Sequence, residues 1–210
     1  MYEPPKSEAW ESANQLLEHY SGIRSDLLRE RGSITAIDFG SGHYGFGRMA
    51  LHSVIQPPSG SIMLYDPFVE IEPSTRSHTR IVEQDEIPSI HPETIDWVNL
   101  TYVLSHLKTF DDAEHLLADL RTRFPRAVIT VCDYLLKNRD RAHQLDVLTQ
   151  SNAERKERDA MRDDEAFIGL HARHTLDSLL EVQRAAGYTI LHAQSLGRHA
   201  SRGLSFAQPS

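Results

Sequence analysis

Three glycines spaced G-x-G-x-x-G, Gly40, Gly42 and Gly45, stand in the stretch IDFGSGHYGFGRMA at residues 37–50. A turn of this kind lets a backbone press against a ligand, because no Cβ intervenes and left-handed conformations cost glycine little. After a strand and before a helix, such a turn offers N–H groups that favour an anion such as a pyrophosphate. Here an acidic residue, Asp38, closes the strand two residues before Gly40. A carboxylate at that place repels a pyrophosphate and suits a ligand with a positive charge, an amino group or a sulfonium. A second carboxylate, Asp66 in MLYDP, comes 26 residues after Gly40 at the end of the next apolar stretch. Dinucleotide folds also bind ribose hydroxyls through such an acid, so Asp66 alone does not say which nucleotide is held.

A reaction that removes a proton near neutral pH is best served by a neutral imidazole. Of the 12 histidines, His106 follows an apolar strand-like run, where a carboxyl end would face a ligand crevice. His171 and His174 stand three apart before another helical pattern, with Asp177 beyond them. Three such groups without a fourth ligand read as a solvated helix start rather than a metal site. His106 and His171 are therefore the candidate bases, with Asp133 and Tyr134 as alternatives for binding or deprotonation. Cys132 lies inside an apolar run and reads as core.

The elements that must position these residues alternate. Residues 8–31 carry a helical stripe (Trp10, Ala13, Leu17, Tyr20, Ile23, Leu27), with Ser7 to cap it, Gly32 to stop it and Gly22 to divide it. SITAIDF (33–39) reads as a buried strand, and residues 46–56 as a helix ended by Pro57-Pro58. SIMLYD (61–66), TRIVEQ (79–84), part of 94–104 and RAVITVCDY (126–134) supply further strands, with an amphipathic helix at 110–124. Another helix covers 174–188, and YTILHAQSL and HASRGLSFAQ form two strands turning at Gly197-Arg198. This alternation predicts one α/β domain over 1–210. Its sheet is doubly wound, mostly parallel and seven-stranded, with a C-terminal antiparallel hairpin, helices on both faces and an extra N-terminal helix. Residues 1–32 form a helical cap, and the charge-rich 135–172 a helical insertion beside the substrate pocket.

A net charge of −8 and a pI of about 5.8 argue against broad binding to nucleic acid or anionic lipid. A single cysteine fits a reducing compartment, and no signal peptide or membrane-length apolar run is visible, so a cytoplasmic protein is expected.

Together these residues resemble the class I S-adenosylmethionine-dependent methyltransferases. DFGSG resembles the family's first motif and MLYDP its second-strand acid. QDEIP is similar to its adenine-side acid and following pair, and IDWVNLTYVLSHL to its fourth strand, through Asp96, Val98, Val103, Leu104, His106 and Leu107. The resemblance runs over roughly residues 33–208 and implies S-adenosylmethionine as cofactor. By it, Asp38, Gly40, Ser41 and Gly42 lie against the methionine and ribose parts, Asp66 and Pro67 hold the ribose, and Asp85 or Glu86 meets the adenine. Thr101 closes the fourth strand at the cofactor. Tyr20 either closes over the cofactor or packs in the core. The glycine usual before the fifth strand is replaced by Pro125-Arg126, and the Asn-Pro-Pro-aromatic motif of amino-directed nucleic-acid enzymes is absent, NLTY (99–102) lacking its prolines. The function implied is methyl transfer to a small molecule. The rival readings are a non-catalytic sensor or partner subunit that binds the same cofactor, and an NAD-dependent oxidoreductase.

Overall fold

The computed structural model describes residues 8–41, 46–67, 69–71, 77–107, 109–135, 175–196 and 202–210. Five strands run parallel: β1 (Ile34–Phe39), β2 (Gly60–Tyr65), β3 (Thr79–Ile81), β4 (Trp97–Thr101) and β5 (Val128–Tyr134). The C-terminal hairpin follows, with β7 (Arg202–Pro209) inserted antiparallel between β5 and β6 (Tyr188–Leu196). The seven-stranded order is β3-β2-β1-β4-β5-β7-β6. From β1 the chain winds outward through β2 and β3, then returns to the other side of β1 as β4. That reversal opens a crevice beyond the carboxyl ends of β1 and β4, the place where open α/β sheets take ligands.

The period of two along each strand divides the core into two layers. On one face Ile34, Ala36, Ile62, Leu64 and Trp97 lie beneath α1 (Glu8–Arg31) and α2 (Phe46–Val54). On the other, Ile37, Val98, Leu100, Ile129 and Val131 pack against α3 (Phe110–Arg123) and α4 (Leu176–Ala185). Thr109 and Thr175 begin α3 and α4 with reciprocal capping boxes, which satisfy donors that a helix start leaves open. Among the described residues no helix is long and apolar enough to cross a membrane.

α1 is one helix of 24 residues; Gly22 does not divide it. An exposed glycine costs a helix about 1 kcal/mol. The buried stripe Leu16, Tyr20, Ile23 and Leu27 outweighs that, since burying one large apolar side chain is worth roughly 1.5–3 kcal/mol. Asp96 fastens the far end of α1: it pairs with Arg31 and accepts from the Thr35 N–H at 2.8 Å. This makes Asp96 a brace at the amino ends of β1 and β4, away from the crevice. β3 is shorter than TRIVEQ suggests, although the Val82 N–H still reaches Leu64 O at 2.9 Å. The expected turn at Gly197-Arg198 and nearly all of the 135–172 insertion fall outside the described residues.

Leu117 is fully buried between α3 and the sheet, whereas Leu191 on β6 is 47% exposed. Leu117→Ala is expected to lower the unfolding free energy by about 2–5 kcal/mol. Leu191→Ala should stay within about 0.5 kcal/mol in the same urea titration.

Candidate cofactor and acceptor site

The parallel register sets Asp38 of β1, Asn99 of β4 and Thr130 of β5 side by side across the face covered by α1 and α2. All three are buried. An apolar face tolerates such a row only if every polar atom finds a partner. Asn99 achieves this: its Nδ2 donates to Asp38 Oδ1 at 2.6 Å and to Thr101 Oγ1 at 3.1 Å. Its Oδ1 accepts from the Thr130 hydroxyl at 2.8 Å and from the Tyr20 hydroxyl. Thr130 in turn accepts from the Trp97 indole N–H at 2.9 Å. Burial pushes the Asp38 carboxyl up to about 6, while the Asn99 hydrogen bond, the Ser41 hydroxyl and the Arg48 charge pull against it.

Beyond Asp38 the chain turns sharply. Gly40 adopts φ +77°, and its N–H and that of Ser41 donate to Tyr65 O at 2.8 and 3.1 Å. A Cβ on Gly40 would stand 2.6 Å from Val103 Cγ2 and would hold a strained left-handed backbone. Gly47 is needed for a different reason. It seats α2 directly on β4, and a Cβ there would collide with Thr101 Oγ1 and Asn99 Nδ2.

Asp66 leaves the end of β2, with Oδ1 accepting from the Val69 N–H at 3.1 Å, and Pro67 follows it half-buried. Phe39 and Tyr65 close β1 and β2 with ring centroids 4.8 Å apart. They help line a groove shared with Ile87, Leu116 and Leu120 and with the charged Asp119 and Arg123 of α3. At the loop above β3, Asp85 is exposed, while Glu86 braces its own loop by accepting from the Glu83 N–H at 2.9 Å.

On the other side of the crevice, β4 is followed by Tyr102, a non-glycine residue at φ +60°. That conformation costs roughly 1–2 kcal/mol and persists only where surroundings impose it. The Tyr102 N–H donates to Cys132 O at 2.8 Å, and the buried Arg202 donates through Nε to the Tyr102 hydroxyl at 2.6 Å. Burial keeps the Tyr102 phenol protonated across the physiological range. The chain then makes a helical turn, Leu104–His106, anchored where the Ser105 N–H meets the buried Asp133 Oδ2 at 2.9 Å. His106, exposed, ends that turn.

Asp38, Gly40, Ser41, Asp66, Pro67 and His106 thus gather at the carboxyl ends of β1, β2 and β4. Thr101 and Tyr20 are placed otherwise. Thr101 points under α2 and Tyr20 packs edge-on against Trp97 at 4.9 Å, so their hydroxyls are engaged by Asn99 inside the sheet's face. Asp133 likewise serves as an internal anchor for the β4 turn, not as an exposed base. Burial raises the Cys132 thiol to about 12, in keeping with a core residue. Gly42, Gly45, His171 and His174 lie outside the described residues. The positioning roles of Asn99, Thr130, Tyr102 and Arg202 were not legible in the sequence, where Asn99 and Tyr102 stand only as the ends of NLTY. Asn99 and Thr130 had one signal, polar residues at every second position of otherwise apolar strands.

No protein-family model matches the sequence, and neither does any curated protein. Solved structures do. TnmH aligns over 94% of this chain and 57% of its own, at 15% identity and a TM-score of 0.56. The mitomycin 7-O-methyltransferase MmcR aligns over 91% of this chain and 53% of its own, at 16% identity and a TM-score of 0.56. The chain thus spans little more than half the length of either. The magnesium protoporphyrin IX methyltransferase ChlM from Synechocystis PCC 6803, solved with bound SAH, aligns over 100% of this chain and 90% of its own, at 12% identity and a TM-score of 0.55. Across these likenesses, the fold of the chain is that of the class I S-adenosylmethionine-dependent methyltransferases.

Proposed function

We propose that the protein binds S-adenosylmethionine at the carboxyl ends of β1, β2 and β4 and directs its methyl group to a small-molecule acceptor. The observation that carries this reading is Asp38: a buried carboxylate, already hydrogen-bonded by Asn99, at the mouth of a left-handed glycine turn. An anion held there at a desolvation cost is useful to a cationic ligand and hostile to a pyrophosphate. The residues present fit the cofactor: the glycine at position 40 lets the backbone turn left-handed beside Asp38 without pressing a Cβ on Val103.

Bound S-adenosylmethionine supplies a methyl group already made electrophilic by its sulfonium. The chain's part is to bind, orient and take up a proton. Asp38 would hold the amino acid end of the cofactor, Asp66 and Pro67 the ribose, and the groove beside Phe39 and Tyr65 the flat base, with Asp85 or Glu86 at its edge. His106, exposed where β4's turn ends, is the side chain suited to relieve an acceptor hydroxyl or ammonium of its proton, with His171 as the alternative base. Two neighbours named for small-molecule acceptors, a mitomycin and a magnesium porphyrin, support the same class of acceptor here. A cytoplasmic setting fits the charge balance and the lone cysteine.

Calorimetry with S-adenosylhomocysteine is expected to show binding, and with NAD none. Binding of NAD alone would return the oxidoreductase reading, and binding without product from any acceptor would favour the sensor. Asp38→Asn should weaken S-adenosylhomocysteine at least tenfold, the scale of a charge-assisted hydrogen bond of about 1.5–3 kcal/mol. Asp66→Ala should also lose at least tenfold. A 2′-deoxyribose analogue should lose affinity for the wild type and little more for Asp66→Ala; simple addition of the two losses would separate Asp66 from that hydroxyl.

A further inference from the structure

The polar row behind the glycine turn has a direction. An indole N–H can only donate, so the Thr130 oxygen that it reaches accepts, and the Thr130 hydrogen is left for Asn99 Oδ1. The Tyr20 hydroxyl reaches the same oxygen. With two donors aimed at its carbonyl, the Asn99 amide has one consistent orientation, and its Nδ2 faces Asp38 Oδ1 and Thr101 Oγ1. Both amide hydrogens and both carbonyl acceptor sites are then used, inside a site where Asn99, Thr130, Trp97 and Tyr20 are fully buried. A carboxylic acid hydrogen on Oδ1 would point at a group that can only donate. The chain of donors running Trp97 to Thr130 to Asn99 therefore ends on an accepting carboxyl oxygen, which confines any proton on Asp38 to Oδ2 and favours the ionised form.

We infer that Asn99 is a positioning residue of the cofactor site: oriented by Thr130 and Tyr20, it holds Asp38 ionised and turned toward the turn, and thereby sets the pH range over which the cofactor binds. The inference rests on the reading of Asp38 as the cofactor's counter-charge. Among the described residues, the other charged or titratable groups acting on Asp38 are Arg48 of α2, which favours ionisation, and Asp66 beyond β2, which opposes it. Tyr20 of α1, held neutral by burial, contributes its hydrogen bond to Asn99 and no charge. Burial, which raises the Asp38 carboxyl to about 6, places it within reach of a pH titration.

The test has two arms. In the ligand-free protein, carboxyl-carbon NMR follows the Asp38 titration in the wild type, Asn99→Leu, Thr130→Val and Tyr20→Phe. Asn99→Leu should move the midpoint upward by at least one pH unit. Thr130→Val and Tyr20→Phe, which keep the core's shape, should move it less and in the same direction. In the second arm, S-adenosylhomocysteine affinity is measured from pH 5 to 9. Asn99→Leu should lose at least about threefold at pH 6.5 and recover most of it at pH 8.5, a profile that a merely loosened fold does not give. An Asp38 midpoint unmoved in all three variants overturns the inference and leaves the cofactor reading standing. A midpoint that moves in a protein that binds no S-adenosylhomocysteine at any pH overturns the cofactor reading, and with it Asn99's part in binding. If Asn99→Leu fails to fold, the Thr130→Val and Tyr20→Phe midpoints decide the matter alone.

Discussion

A carboxylate taken out of water at the end of a strand must be met by donors, because the cost of burying an unpaired charge exceeds what the neighbouring apolar contacts return. Asp38 meets this condition through Asn99, whose amide bridges two adjacent parallel strands at 2.6 Å. Much of the site's architecture follows. The register of β1, β4 and β5 has to bring Asp38, Asn99 and Thr130 level, α1 has to lay Tyr20 over them, and α2 has to come so close that only a glycine fits at position 47.

The same sheet end divides into two chemistries. Around β1 and β2 stand two carboxylates, Asp38 and Asp66, the left-handed Gly40 and a groove lined in part by Phe39, Tyr65 and Ile87. Around β4, β5 and β7 lie a strained Tyr102, a buried Arg202 bonded to its hydroxyl, and an Asp133 that fixes the turn carrying His106. Strain at Tyr102 is maintained by bonds from two neighbouring strands, the kind of reserve that accompanies binding sites. The switch in winding between β1 and β4 puts both halves on one crevice.

How much of this was legible in the sequence depended on whether a signal is local. Strands rich in β-branched residues, the helical stripe of α1 and the acid-glycine turn are local patterns, and each marks its element within a few residues. Gly22 misled because helix propensity is a weak local preference, overruled here by four buried side chains reaching across the layer. For Tyr20 the stripe position left core and cofactor open, and the structure packs it in the core; for Thr101, a place at a strand end does not say where a hydroxyl will find its partner. Asn99 was passed over because its partners lie 61, 79 and 31 residues away along the chain, at Asp38, Tyr20 and Thr130. Only the register of three strands and the packing of a helix bring them together.

If Asp38 is the counter-charge of the cofactor's ammonium group, binding must drive off whatever proton it carries. With its carboxyl at about 6, Asp38 is about half protonated at pH 6 in the free protein and ionised in the complex. Titration calorimetry of S-adenosylhomocysteine at pH 6, repeated in buffers of different ionisation enthalpy, measures that proton directly. Release of about half a proton per ligand bound is expected at pH 6, shrinking toward none at pH 8. A heat of binding independent of the buffer at pH 6, or a proton taken up, would contradict it.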